Sequence, residues 1–171
     1  MAGDLDEVFN DLYYRLVETY VIDDEHLSRT EHEIWNLFSK PLRSSSVIGL
    51  LRSTTIQDVE LDHAWKNGHW KALQPISFDL QHANTILKKS RLWLGTSLLL
   101  NNSAEISKIY YLLGKPRRDD DALERAYHKA KDLLASLNAK KVEIVEEDGA
   151  EDFANEIGAQ IKADVEHSEE G

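Results

Sequence analysis

The residues best suited by type and spacing to do chemistry are Glu60, Asp62 and Lys71. Two carboxylates and a lysine on adjoining strands are the set that metal-dependent phosphodiester hydrolysis needs: the acids hold a divalent ion and the lysine supports the attacking water. Asn67-Gly68 separates two extended runs, 56–66 and 69–78, and this dipeptide predicts a two-residue type I′ hairpin. In that register Lys66 faces His69, Trp65 faces Trp70, Ala64 faces Lys71, His63 faces Ala72 and Asp62 faces Leu73. Glu60, Asp62 and Lys71 then share one face of the hairpin, because side chains alternate with period two. The second strand reads His69-Trp70-Lys71, so it has no carboxylate two positions before its lysine, and Glu60 would have to act from the other strand. A diagonal ion pair between Asp62 and Lys71 accounts for the same residues without catalysis.

A second candidate is Lys115, Arg117 and Arg118, within Gly114-Lys115-Pro116-Arg117-Arg118. This loop follows a predicted strand and precedes a predicted helix, a place where open α/β sheets and helix N-termini bind anions. It lacks a glycine-rich cradle. Asp119, Asp120 and Asp121 stand where a phosphate would sit, so a salt-bridged loop is the competing reading. With Lys88, Lys89, Arg91 and Lys108 these cations could form a basic patch for nucleic acid, against which stands the sequence pI of about 5.0. The seven histidines show no compact ligand spacing; the expected hairpin register puts His63 and His69 on opposite faces, so no metal site and no cofactor are expected. There is no Gly-x-Ser-x-Gly elbow. Trp65 and Trp70 at the hairpin tip form a candidate contact patch if exposed.

The elements that must position these groups are legible from periodicity. Leu5, Phe9, Leu12 and Leu16, with Val8, Tyr13, Val17 and Tyr20, mark a wide amphipathic helix over 4–21. Its stripe is either core or a partner seam. Ser28-Arg29-Thr30-Glu31 fits a capping box for a helix through Ile34, Trp35 and Phe38, ended by Pro41. Pro75 marks its strand as an edge or its end. Asp79 is placed to cap a helix running from Leu80 to about Asn101, which Gly95 interrupts or which turns to strand at 96–100. A strand at 106–113, a helix from Asp119–Asp121 to Asn138 and a strand at 142–145 make a βαβ unit. A last helix spans Ala150 to Val165. The expected fold is α+β and helix-rich, a hairpin plus a βαβ unit forming a small mixed sheet covered by helices.

The chain has 171 residues and no cysteine. Its length predicts one domain, residues 1–165, with 166–171 a disordered acidic tail. Lack of cysteine excludes disulfides, thiolate metal sites and a thiol nucleophile. No apolar run is long enough for a membrane span or a signal peptide, so a cytoplasmic protein without membrane contact is expected. The formal charge of -11 is uneven. Residues 1–25 hold eight acids and one base, Arg15, and residues 142–171 hold eleven acids and one base, Lys162, while the middle is net basic. Such polarity either keeps the protein in solution or steers a basic partner, including an enzyme that normally takes nucleic acid.

Two resemblances follow from these residues. The hairpin with its acids resembles the restriction-endonuclease-like fold, and implies a metal-dependent nuclease-like domain in degenerate form. The stretch 62–80, with its Asn67-Gly68 turn and Gln74-Pro75-Ile76-Ser77-Phe78 strand leading to a helix, resembles the C-terminal domain of uncharacterised bacterial and prophage proteins. It implies a bacterial or phage setting, and a domain separated from a larger N-terminal part, but no activity. The leading expectation is a non-catalytic protein-interaction module, binding another protein or a second copy of itself; the nuclease is the alternative.

Overall fold

The computed structural model describes residues 28–136 and 141–170. The helix expected over 4–21, with Leu5, Phe9, Leu12 and Leu16, lies outside them. Helix α1 (Glu31–Ser39) leads through two 3-10 turns, Lys40–Ser45 and Ile48–Leu50, into strands β1 (Arg52–Ile56), β2 (Val59–Asn67) and β3 (His69–Ser77). Helix α2 (Ala83–Asn101), strand β4 (Ile106–Gly114), helix α3 (Asp121–Ser136), strand β5 (Val142–Glu146), a 3-10 turn and helix α4 (Ala150–Glu170) follow. The strands form one sheet in sequence order. β1, β2 and β3 are antiparallel neighbours, and β3, β4 and β5 run parallel. The fold is therefore α+β, as the patterning predicts, with the hairpin joined directly to two crossover units rather than one. None of the helices among the described residues is long and apolar enough to cross a membrane.

Each sheet face carries its own core. Ile109, Tyr111 and Leu113 of β4 pack with Ile86 and Leu100 of α2 and with Leu123, Tyr127 and Leu134 of α3. Tyr110 and Leu112 turn the other way, toward Ile34 and Phe38 of α1 and Ile157 and Ile161 of α4. A strand covered on both faces must be apolar at successive positions, which is why Ile109–Leu113 of β4 is an unbroken apolar run, while Ser107 and Lys108 fall where the strand is only half-buried. Gly114 ends β4 under α1: a Cβ there would stand 2.2 Å from Cδ1 of Ile34.

Several local expectations shift by a residue or two. The capping box is Thr30 with Glu33, not Ser28 with Glu31: the Thr30 hydroxyl accepts from the Glu33 N–H at 3.2 Å, and the Glu33 carboxylate accepts from the Thr30 N–H at 2.7 Å. Helix α2 starts three residues after Leu80, with His82 and not Asp79 at its cap, and runs unbroken past Gly95 through 96–100. Helix α4 continues to Glu170, beyond Val165. β3 extends past Pro75 to Ser77, yet its pairing with β2 ends at Ala72, so Pro75 has only β4 as a neighbour and no ladder bond is lost.

The hairpin register is the largest correction. Asn67 pairs with His69, Lys66 with Trp70, Trp65 with Lys71 and Ala64 with Ala72. Only Gly68 takes a positive φ, +72°, whereas a type I′ turn needs both central residues there. That geometry is found one connection earlier, at Gln57 (φ 52°) and Asp58 (φ 63°) between β1 and β2. A one-residue slip sends neighbouring side chains to opposite faces. Trp65, 1% exposed, enters the α1/α4 core, while Trp70 packs on the α2/α3 side. The expected Trp65–Trp70 pair does not form, because two cores each take one indole. The slip also moves His69 to the face of Trp65, Asn67 and Lys71.

Candidate functional site

Two ends of the sheet gather charged or aromatic groups. The first is the C-terminal edge of the parallel strands, where the segments after β3, β4 and β5 converge with the residues before α1. Asp79 accepts from Nε of Arg29 at 3.0 Å, from Nε of Arg117 at 2.6 Å and from the Arg117 backbone N–H at 3.1 Å. Arg29 also donates to the Lys115 carbonyl at 2.8 Å and to the Glu147 carboxylate. Glu147 accepts the Lys115 N–H at 2.8 Å. Arg29, Asp79 and Glu147 are all largely buried. Burial alone would push the Asp79 carboxyl up; the Arg117 N–H and the guanidiniums of Arg29 and Arg117 outweigh it and hold the group below its ordinary value. Burial likewise disfavours the charge on Arg29, and Glu147 and Asp79 more than restore it. Two cations meet two anions here, so the network is neutral.

The candidate anion site lies in this network. Lys115 pairs with Asp148 at 3.3 Å and Arg117 with Asp79. Arg118 is exposed. A cleft of about 420 Å³ beside this loop is lined by Lys115, Arg117, Arg118, His128, Glu146 and Asp148, among others, so both signs of charge face it. The Asp120 carboxylate accepts from the N–H groups of Ala122 and Leu123 at 2.8 and 3.2 Å. The helix N-terminus is therefore occupied by the chain's own carboxylate, as the aspartate run suggests. Nearby, Lys131 donates to Glu146 at 3.0 Å and Tyr127 donates to the same oxygen at 3.1 Å. The lysine holds the Glu146 carboxyl low, while burial and the Glu146 charge push the Tyr127 phenol up.

The second end is the hairpin tip. Asp164 of α4 gathers three donors from it: Nε1 of Trp65 at 2.9 Å, Nδ2 of Asn67 at 3.2 Å and Nζ of Lys71 at 3.0 Å. Burial opposes ionisation of Asp164, and the three donors overcome it, so its carboxyl sits below the ordinary range. Lys71 thus pairs with Asp164 and not with Asp62. Glu60 and Asp62 are exposed in the half of β2 that pairs with β1. They stand five and three positions, respectively, from Trp65, the residue opposite Lys71, roughly 16 and 10 Å along a strand. A shift in the β1–β2 register between Arg52↔Ala64 and Thr54↔Leu61 leaves one extra residue on β2 there. His63 stacks on Trp35 with ring centroids 3.6 Å apart, and its burial lowers its pKa. No group of three or more His, Cys, Asp or Glu that could hold a metal occurs among the described residues.

Beside the tip lies a cleft of about 400 Å³ lined by Leu50, Arg52, Lys66, Trp70 and Val165, with Trp65 as its buried wall. The Lys66 ammonium sits 5.5 Å from the Trp70 ring centroid. β1, which borders this end, is an edge of the sheet among the described residues.

Arg29, Asp79, Glu147 and Asp164 are the connected residues that sequence reasoning missed. A signal existed for Glu147: the ends of neighbouring parallel strands meet, so the acids after β5 belong beside the bases after β4. Asp79 reads locally as a helix cap, and nothing local marks Arg29 or Asp164. No known protein family, curated protein or solved structure matches the chain.

Proposed function

We propose that this chain is a non-catalytic protein-interaction module of bacterial or phage origin, and that it takes its partner at the hairpin tip. The observation that carries the reading is the cleft beside Trp70: an indole, two cations (Arg52 and Lys66) and two aliphatic side chains (Leu50 and Val165) around one concavity, next to an edge strand. Aromatic and arginine side chains at a concave surface are what protein contacts use as anchors. An edge strand adds backbone groups that can pair with an incoming segment. The chemistry fits a partner segment with an apolar group flanked by carboxylates. The setting comes from the resemblance over 62–80.

The nuclease reading draws less support from the geometry. Lys71 is committed to Asp164, and Glu60 and Asp62 stand well along the strand from it. A nuclease would require Mg²⁺-dependent cleavage that Asp62→Ala and Lys71→Ala each abolish.

The test is site-specific photo-crosslinking of the full chain in bacterial lysate, with benzoylphenylalanine at position 70 or, as a control, at position 60. One discrete adduct from position 70, absent from position 60 and lost when Arg52→Glu and Lys66→Glu are added, is expected. No adduct, or the same adducts from both positions, overturns the reading.

A further inference from the structure

The outer face of α2 carries the most exposed large apolar side chains among the described residues: Leu92 at 73%, Leu98 at 46% and Leu99 at 51%. Between them lies Gly95, also exposed. Glycine weakens a helix interior, and packing within the chain gives no reason for it here: a Cβ on Gly95 would meet nothing within 4 Å. Bare backbone flanked by open leucines is what close approach of a second helix uses. The charges on this helix are uneven. Its three bases, Lys88, Lys89 and Arg91, all stand in the first half of Ala83–Asn101, which holds no acid. Lys88 and Arg91 are exposed on the leucine face, whereas Lys89 is tied to Glu31. The far end closes at Asn102, its cap, with Glu105 exposed just beyond.

We infer that this face joins the same face of a second copy of the chain, the two α2 helices running antiparallel about a two-fold axis at Gly95. In that arrangement Leu92 comes level with Leu98 of the second copy, Arg91 with its Leu99 and Lys88 with its Asn102. Leucine then covers leucine, and the aliphatic stem of Arg91 covers the remaining one. The charge pattern selects both the partner and its direction. Lys88 reaches the C-terminal end of the opposite helix, where the last carbonyls and Glu105 favour a cation. The two Lys88 positions stand 14 residues apart along the paired helices, about 21 Å, which is beyond the screening length of about 8 Å at physiological salt. Parallel helices would instead set base against base. An acidic partner protein would answer Lys88 and Arg91 but leave the uncharged half and Glu105 unmatched, whereas a second copy answers both halves at once, as a two-fold interface must. None of these residues lines the hairpin-tip cleft, so the contact is separate from that surface.

Sedimentation equilibrium of the full chain, up to about 0.5 mM, tests this. A reversible monomer–dimer equilibrium is expected, weakened at least about tenfold by Leu92→Glu with Leu99→Glu and likewise by Gly95→Gln. Glutamine is the better helix former, so Gly95→Gln should leave the urea midpoint of the dilute chain, at about 1 µM, no lower than the parent's. That pairing of a weaker dimer with an undiminished monomer separates a contact role from a structural one. Because the chain has no cysteine, Gly95→Cys should give a disulfide-linked dimer at least about tenfold faster than Lys88→Cys, whose sulfurs the antiparallel arrangement holds apart. A chain that stays monomeric overturns the inference, as does a dimer that both sets of substitutions leave intact. A lower midpoint for Gly95→Gln, or Lys88→Cys linking as fast as Gly95→Cys, overturns it too.

Discussion

The two charged ends of the sheet are built from the same residue types and come out opposite. At the C-terminal edge of the parallel strands, Arg29 and the more exposed Arg117 meet the largely buried Asp79 and Glu147 in a neutral network. At the hairpin tip, Arg52 and Lys66 line a cleft beside Trp70. The difference is one of topology. Parallel strands all end at the same edge, so their following loops crowd together and acids find bases. A hairpin tip has only its own turn and whatever helix reaches it, and α4 supplies one acid, Asp164, on one face. The first end is therefore fastened, and the second leaves surface for something else.

Stability measurements can break this contrast. Asp79→Ala should cost the most, about 3 kcal/mol in urea unfolding, because it removes one of the two carboxylates on the buried Arg29 and the carboxylate that accepts from both the side chain and the backbone N–H of Arg117. Asp79→Asn should cost less, since it keeps an acceptor for the Arg117 N–H. Asp164→Ala should cost about 2 kcal/mol, as the buried Trp65 N–H loses its acceptor and Lys71 its counter-charge. If Lys66→Ala costs as much as Asp79→Ala, the contrast is wrong.

Acid should act on both fastened carboxylates. Asp79 and Asp164 are held below the ordinary value of 3.8. A depressed folded pKa means the stabilisation is fully present above that value and is lost as pH falls through the lower folded one. The denaturant midpoint should therefore drop steeply below pH 3.8, and Asp79→Asn should flatten that drop.

Smaller effects sharpen the comparison, one in the β1–β2 turn at the far end of β2 and one at the open tip. Gln57 and Asp58 hold positive φ without being glycine. Replacing them by Gln57→Asn with Asp58→Gly should stabilise the protein by about 1 kcal/mol, because non-glycine residues are strained there. Lys66→Ala should change stability by about 0.5–1 kcal/mol, the value of an exposed cation–π contact, while weakening partner capture.

The sequence by itself determined most elements. Apolar periodicity located α3 and α4, the mostly apolar stretch 106–113 located a buried strand, and the strand–helix–strand order implied parallel pairing of β4 and β5. These rest on local patterns that burial must satisfy in any fold. What only the tertiary structure decided was register and partnership. Asn67-Gly68 has the right chemistry for a two-residue turn, yet Trp65 and Trp70 settle into separate cores, and that burial outweighs the turn preference and slips the pairing by one. The same holds for the charged groups. Lys71 pairs with Asp164, 93 residues away, and Arg29 joins Glu147, 118 away. Periodicity carries no trace of such pairings, because they depend on which strand ends and helix ends meet once two cores have closed.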